Sequence, residues 1–510
     1  MSQLLPLFYR CIISSWIRMK SYLNNKPFFI FLLPVFFVFH GFVKHYNFVT
    51  VKDALLLILL YSGATLIVMG ISWLFYRSFI KAAFISFYIM AVFFFFGSIQ
   101  DRQHDLFGSS FFSRYSFILP LIFWLFISLV IWLKKRKTSL PKFTFYLNSL
   151  LILLITIDFF WLSAKMMLKE KPFNPTTESM VLCDSCKKPD IFLIILDEYA
   201  GNTELKQFFR FDNNAFENQL EQRGFYIAKE SRSNYNFTPF SVASILNMDY
   251  LALKMKEKAP GNIDYCYQKI KNSNVVNFLK ASGYEFYNYS IFDFDGQPAV
   301  NYDNFLPNNT TLITSQTLFS RVLKDIRFNI GTGKWKFKLG LKKITYEHLH
   351  NNENILRLTN AIALKKTEKP KFVYAHLMMP HYPYYFNSKS EALPIEKLFE
   401  GQETNKENYI EYLQYCNRQI LRFVDQIMAA SDKPPVIMLL GDHGFRHISK
   451  KEERKYAFMN LNAIYLPDRN YGQFYDSISN VNQFRVFFNT AFQQKFSLLK
   501  DSTIFLWDNK

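Results

Sequence analysis

The sequence predicts a transmembrane module of five apolar helices followed by an extracytoplasmic α/β domain. Three observations predict it. Five apolar blocks, each near the length that crosses a hydrocarbon core, crowd the first 165 residues, and short charged connections separate them. About 310 residues of alternating apolar runs, polar turns and amphipathic segments follow. The run Ile191–Leu196 is continuously hydrophobic, far too short to span a bilayer, and stops at Asp197-Glu198, as expected of a strand buried on both faces.

The blocks cover Pro27–Val43, Ala54–Tyr76, Ala82–Ile99, Ser116–Leu133 and Tyr146–Ser163, the first being the shortest and carrying Pro34 and His40. Buried helices of a soluble domain can mimic one such block, but five in succession do not support that reading. Met1–Lys26 is polar and no small-residue cleavage pattern follows block one, so no separate signal peptide is expected. Basic residues set the orientation. Arg10, Arg18, Lys20 and Lys26 precede block one, Arg77 and Lys81 lie between two and three, and Lys134, Lys135, Arg136, Lys137 and Lys142 lie between four and five. The opposite loops are mixed in sign, with Lys44, Lys52 and Asp53, then Asp101, Arg102, Asp105 and Arg114. An N-terminus in the cytoplasm and an odd number of crossings deliver everything after Ser163 to the far side of the membrane.

The net charge of +19 calls for anionic partners. Many basic residues sit between apolar blocks, which points to phospholipid headgroups and away from nucleic acid. Five cysteines are too few for a disulfide scaffold. The expected domains are residues 1–165 as anchor, 166–188 as a linker holding Cys183 and Cys186, and 189–510 as the catalytic domain. In an oxidising space the C-x-x-C pair favours a local disulfide, while Cys266 and Cys416 suit either a second bridge or two buried thiols.

Beyond the first strand, Asn213–Arg223 reads as a helix and Gly224–Ile227 as a short run returning to the sheet. An Asn-rich lead-in, SRSNYNF, gives way at Thr238-Pro239 to a helix over Phe240–Leu246. From this stretch alone Thr238 suits an N-cap first; the second reading makes its hydroxyl a nucleophile at a helix mouth where orphan N–H groups favour a phosphoryl or sulfuryl oxygen. Tyr267–Ala281 reads as a helix, Tyr284–Tyr289 as a strand, and 331–343 as a solvated basic edge. The strand Lys371–Leu377 leads into HLMMPHYPYY. His376 lies inside that strand and is expected simply to be buried, whereas His381 stands in a proline-stiffened turn suited to a ligand. Glu407–Met428 reads as an amphipathic helix, and Pro435–Leu440 as a strand ending in Gly441-Asp442-His443-Gly444. Asn462–Leu466 supplies a further strand, and Tyr471–Phe488 carries no assignment.

Carboxylates at the C-terminal ends of two strands lie where open α/β sheets place their ligands, although Asp197-Glu198 also suits an acidic helix N-terminus. Asp197, Asp442 and His443, with Glu198 as a further candidate, are a donor set suited to Zn²⁺ or Mn²⁺. One divalent ion is expected, with a second allowed.

LDEY, SNYNFTPFS, HYPYY and GDHGFRH, in this order after five apolar blocks, resemble the sulfatase-like branch of the alkaline phosphatase superfamily. In layout the chain is similar to its membrane-anchored members, lipoteichoic acid synthase and the phosphoethanolamine transferases. The resemblance implies an alkaline phosphatase/sulfatase fold. It matches Asp197 to a metal carboxylate, Thr238 to the covalent nucleophile, Asp442 and His443 to the remaining ligands, and His381 to a residue that binds the substrate phosphate. Glu198 matches a position that is a ligand in some members only. Two departures stand out. Sulfatases carry Cys or Ser, then x-Pro-x-Arg, for formylglycine; Thr238-Pro239-Phe240-Ser241-Val242 has neither the residue nor the offset. Asp197 also stands where lipoteichoic acid synthase uses a glutamate.

The reaction implied moves a phospho-alcohol from a membrane phospholipid through Thr238 to an envelope glycan, lipid or water. The alternatives are a phosphodiesterase or sulfuric ester hydrolase of the same family, and a non-catalytic envelope structural or sensor protein.

Overall fold

A computed structural model describes residues 20–46, 49–108, 110–136, 140–167, 181–183, 185–253, 262–300, 310–323, 346–398, 402–448 and 450–507. The basic edge read at 331–343, most of the linker and the N-terminal Arg10 and Arg18 lie outside the described residues. The chain divides into two compact units, residues 1–171 with 305–326 and residues 172–304 with 327–510.

The first unit holds helices α1 (Phe29–Lys44), α2 (Val51–Tyr76), α3 (Phe79–Phe107), α4 (Tyr115–Lys135) and α5 (Pro141–Met167). The last four contain stretches long and apolar enough to cross a membrane. Their outward faces carry exposed Leu59, Phe75, Phe123, Trp124, Phe160 and Trp161, the surface that hydrocarbon rather than water accepts. The 16 residues of α1 span only about 24 Å. Its packing against α5 decides its direction. At one end the Asn148 amide donates to the Leu23 and Lys26 carbonyls (both 2.8 Å) and accepts from Phe29 N–H (2.6 Å). Further along, His40 meets Asp158, and at the far end the Lys165 ammonium donates to the Val43 carbonyl (2.6 Å). Early residues meet early and late meet late, so the two helices run parallel.

Residues 310–323, which include the short helix α6 (Thr311–Thr314), pack in this unit although they follow α5 by more than 140 residues. Arg321 forks onto Asp101 (2.8 and 2.7 Å), and Gly97 N–H donates to the Gln316 carbonyl (2.8 Å). A Cβ at Gly41 would lie 2.9 Å from Ile313, so a glycine is required for this approach.

The second unit is built on one mixed sheet of strands β1 (Ile191–Leu196), β2 (Tyr226–Ile227), β3 (Glu285–Tyr289), β4 (Lys371–Leu377), β5 (Val436–Gly441) and β6 (Asn462–Tyr465), in the order β2-β6-β5-β1-β4-β3. β1, β3, β4 and β5 are parallel; β6 runs antiparallel to β5, and β2 to β6. Every residue of β1, β4 and β5 is buried, which explains the unbroken apolar runs of β1 and β5.

The helices here are α7 (Asn202–Phe208), α8 (Asn214–Gln222), α9 (Thr238–Asn247), α10 (Ile263–Lys271), α11 (Asn274–Ala281), α12 (Glu347–Leu364), α13 (Lys406–Ala430) and α14 (Asn480–Ala491). The single helix expected over Tyr267–Ala281 is two, because Ser273 is extended (φ −74°, ψ 143°) and starts α11 afresh. The unassigned C-terminal stretch contains α14, whose first nine residues are all buried, so no polar face marks it in the sequence. By contrast α13 buries Tyr409, Leu413, Cys416, Ile420, Val424 and Ile427 at helical spacing and was legible. Cys183 and Cys186 form the local disulfide, while Cys266 and Cys416 are buried free thiols.

Candidate metal-dependent active site

Three neighbouring strands deliver the site. In the register of the sheet Leu196 is level with Gly441 and Leu377, so Asp197 and Asp442 leave adjacent strand ends side by side. His376 pairs with Ile195, two residues before Asp197, and side chains two apart share a face. Asp197, His376 and Asp442 consequently converge, fully buried, with one ligand atom from each lying within 4.8 Å of the others. His376 was the residue expected merely to be buried. It is buried, and its Nε2 lies 3.3 Å from Asp197 Oδ2 while Nδ1 contacts the Tyr374 hydroxyl at 3.0 Å. The available signal was the parity of a polar residue in a strand buried on both faces.

Thr238 opens α9, but Phe237 is the N-cap and no side chain caps the helix. The Thr238 hydroxyl turns instead toward Asp197 Oδ2 (3.4 Å) and His443 Nε2 (3.3 Å). His443 Nδ1 donates to the Gly444 carbonyl (2.7 Å), which leaves Nε2 as the atom facing Thr238 and, at 3.5 Å, Asp442 Oδ2. Asp442 Oδ1 accepts from Glu198 N–H (3.0 Å) and His443 N–H (2.9 Å), locking the two strand ends together. Ser241 binds the Asp442 carbonyl, tying α9 to the same loop.

Glu198 faces other partners. Its Oε1 accepts from Arg446 N–H (3.0 Å) and lies 3.5 Å from His447 Nε2, and its Oε2 lies 4.0 Å from His381 Nε2. Its backbone adopts φ 60°, a left-handed conformation that costs a non-glycine residue about 1–3 kcal/mol. Tyr409 of α13 holds that turn: its hydroxyl donates to the Glu198 carbonyl (2.8 Å) and accepts from Ala200 N–H (3.1 Å). Gly444 is equally constrained, since a Cβ there would collide with the Tyr456 and Met459 carbonyls and the Glu204 carboxylate.

The electrostatics suit a cation. Burial alone would raise the Asp197 carboxyl, but the imidazoles of His381, His376 and His443 hold it well below the usual range. Burial and the neighbouring charge of Asp197 push Asp442 above it. Asp197 Oδ1 and Asp442 Oδ2 are buried without a hydrogen-bond donor among the described residues. Two buried carboxylates that repel each other and present orphaned oxygens, with an imidazole alongside, fit a divalent ion of the zinc or manganese class. Burial keeps His381 below the ordinary imidazole value.

The sulfatase family model matches residues 191–494, more than half of the chain. The chain belongs to the sulfatase family. The match takes in both carboxylate strand ends, Thr238, His376, His381 and the GDHG loop, and with the buried donor cluster it makes this domain an enzyme of the hydrolase or transferase kind. Among solved structures, the chain is similar to the zinc complex of the C-terminal periplasmic domain of EptC from Escherichia coli (12% identity, 61% of this chain and 84% of that chain, TM-score 0.37). It is also similar to the periplasmic domain of phosphoethanolamine transferase EptC from Campylobacter jejuni (13%, 62% and 94%, 0.34). A third is a phosphonate monoester hydrolase from Silicibacter pomeroyi (13%, 62% and 75%, 0.38). The family assignment rests on the sequence match. No curated protein matches the chain.

Proposed function

We propose that this sulfatase-family chain is a membrane-anchored phosphotransferase of the bacterial cytoplasmic membrane, with residues 1–165 as anchor and 189–510 as an extracytoplasmic catalytic domain. It takes a phospho-alcohol headgroup from a phospholipid and passes it to an envelope glycan, a lipid or water, in the manner of the phosphoethanolamine transferases and lipoteichoic acid synthase. One observation carries this reading: the Thr238 hydroxyl, freed from helix capping, sits 3.3–3.4 Å from His443 Nε2 and Asp197 Oδ2.

In the proposed sequence Thr238 Oγ attacks the phosphorus of the headgroup ester. The new Oγ–P bond forms as the bond from phosphorus to the diacylglycerol oxygen breaks; the hydroxyl proton passes to water, and the departing oxygen takes up a proton from water. An acceptor hydroxyl then attacks the same phosphorus, regenerates Thr238 and gives up its proton along the reverse route. In this reading Asp197, Asp442, His376 and His443 would hold the ion, with Glu198 beside them, and the ion would supply positive charge that lowers the pKa of the Thr238 hydroxyl and offsets charge on the phosphate. His381 would bind the substrate phosphate.

Sulfate ester hydrolysis is disfavoured because threonine cannot yield formylglycine. A non-catalytic envelope role leaves the orphaned carboxylates and the uncapping threonine without a purpose. The deciding experiment is intact-protein mass spectrometry after incubation with phosphatidylethanolamine or phosphatidylglycerol. A mass increment of the corresponding phospho-alcohol on the peptide bearing Thr238 supports the reading, and headgroup release with no such adduct in rapidly quenched samples overturns the covalent route.

A further inference from the structure

We infer that His40 and Asp158 form a docking point for the phosphodiester of an outer-leaflet glycerophospholipid on the α1–α5 face of the membrane module. His40 is the one polar side chain of α1 before Lys44, and Asp158 is the one acid of α5. His40 Nδ1 lies 3.1 Å from each Asp158 oxygen. A pair that served only to tie two helices would bury both partners between them. Here the Asp158 side chain is 9% exposed and the His40 side chain 54%, so the carboxylate stands behind an imidazole that faces outward.

Depth gives that face its meaning. His40 stands four residues before Lys44, the last residue of α1, or about 6 Å along the axis from the helix end. The Lys165 ammonium, donating to the Val43 carbonyl, marks the polar rim at that end. α1 runs parallel to α5, and with the catalytic domain proposed to lie outside after α5 this is the extracytoplasmic end, so His40 lies where phosphate and ester groups of the outer leaflet give way to acyl chains. With Nδ1 committed to Asp158, nothing among the described residues meets Nε2. In that layer bulk water is scarce, and an unmet imidazole nitrogen costs several kcal/mol. Lipid phosphate oxygens are the partners at hand. With one proton shared between Nδ1 and the Asp158 carboxylate the pair carries no net charge and keeps an N–H at Nε2, which donates to a phosphodiester without a net charge entering the bilayer, and Lys165 adds positive charge at the same helix ends. The shared chemistry is the phosphodiester, which phosphatidylglycerol and phosphatidylethanolamine both carry.

The site rests on the reading of a lipid donor only for its purpose, which is to hold donor lipid at the membrane face; the chemistry remains at Thr238. The test uses full-length protein in nanodiscs. A phospholipid with a diazirine next to its headgroup is photolysed with wild-type protein and the labelled peptides are mapped. Labels concentrated on residues 36–44 and 154–165 are expected, and labels spread evenly over the outward faces of α2, α4 and α5 overturn the site. Native mass spectrometry then compares wild type with His40→Phe and with His40→Gln, which keeps a donor to Asp158. Loss of one tightly retained phospholipid in His40→Phe is expected, and equal retention overturns the proposal. On kinetics, His40→Phe raises the apparent KM for bilayer donor about tenfold while leaving hydrolysis of soluble bis(4-nitrophenyl) phosphate unchanged. Labelling and retention are read without turnover, so a wild type that binds lipid at His40 but releases no headgroup defeats the transferase reading and not the docking site.

Discussion

Replacing Thr238 with alanine separates chemistry from folding, and the structure fixes both magnitudes. Had the hydroxyl capped α9, its loss would cost about 0.5–2 kcal/mol. It makes no cap bond, because Phe237 occupies that position. What alanine removes is one largely buried methyl group, about 0.8 kcal/mol, and two long contacts at 3.3 and 3.4 Å to His443 and Asp197. Alanine returns a few tenths of a kcal/mol, up to about 0.7, in helix propensity. The net change is within about 1 kcal/mol, a melting shift of roughly 1–2 °C for a domain of this size. Turnover behaves differently. The nearest hydroxyl on α9, Ser241, is committed to the Asp442 carbonyl, so no substitute nucleophile is in place. Headgroup release from phosphatidylethanolamine and phosphatidylglycerol in nanodiscs is expected to fall about 1,000-fold or more, with metal content retained. Thr238→Ser keeps the oxygen and retains partial turnover. Near-normal release by Thr238→Ala, from a donor that wild type demonstrably cleaves, refutes the nucleophile. A large loss of stability refutes the geometric argument instead.

His376→Ala is expected to lower zinc or manganese content, measured by elemental analysis of dialysed protein, together with a lower melting temperature from the cavity and the unpaired Tyr374 hydroxyl; full metal retention in the folded variant removes His376 from the ligand set. Metal uptake must displace the proton that burial and Asp197 hold on Asp442, so apparent affinity rises as pH climbs through and above the usual carboxylate range. Competition titrations against a chelator at several pH values show this slope, and Asp442→Asn flattens it. Tyr409→Phe leaves the Glu198 carbonyl and Ala200 N–H unpaired in the interior, costing about 1–3 kcal/mol, which denaturant unfolding measures. Glu204 is buried beneath the GDHG loop and accepts from Phe445 N–H, and burial with the nearby Glu198 raises it well above the usual carboxyl value. Its folded form binds the proton more tightly than its unfolded form, so its contribution to stability is complete in acid and declines as pH rises through the folded value. Glu204→Gln keeps an acceptor for Phe445 and removes that decline, read as a flatter melting temperature between about pH 5 and pH 8.

The sequence by itself determined the anchor, the α/β class and most of the strands, because hydrophobic periodicity and length are local properties. Ile191–Leu196 and Pro435–Leu440 were legible as buried strands since nothing in them alternates, and the carboxylates that end them marked the ligand edge. Basic loops gave the expected direction of insertion. The parallel course of the short α1 beside α5 was decided by tertiary contacts, Asn148 to Lys26 and Lys165 to Val43. His376 entered the site only through sheet register, since strand pairing, and not spacing along the chain, sets which side chains share a face. The role of Thr238 turned on a single cap position: the same Thr-Pro pair suits a cap or a free hydroxyl, and only the backbone of Phe237 chose between them. Tyr409 and Glu204 lie far in sequence from the motifs they support. Their signals are ordinary, an aromatic on an amphipathic helix and an acid in a helical first turn, until packing brings them under the turn at Glu198 and the loop at Gly444.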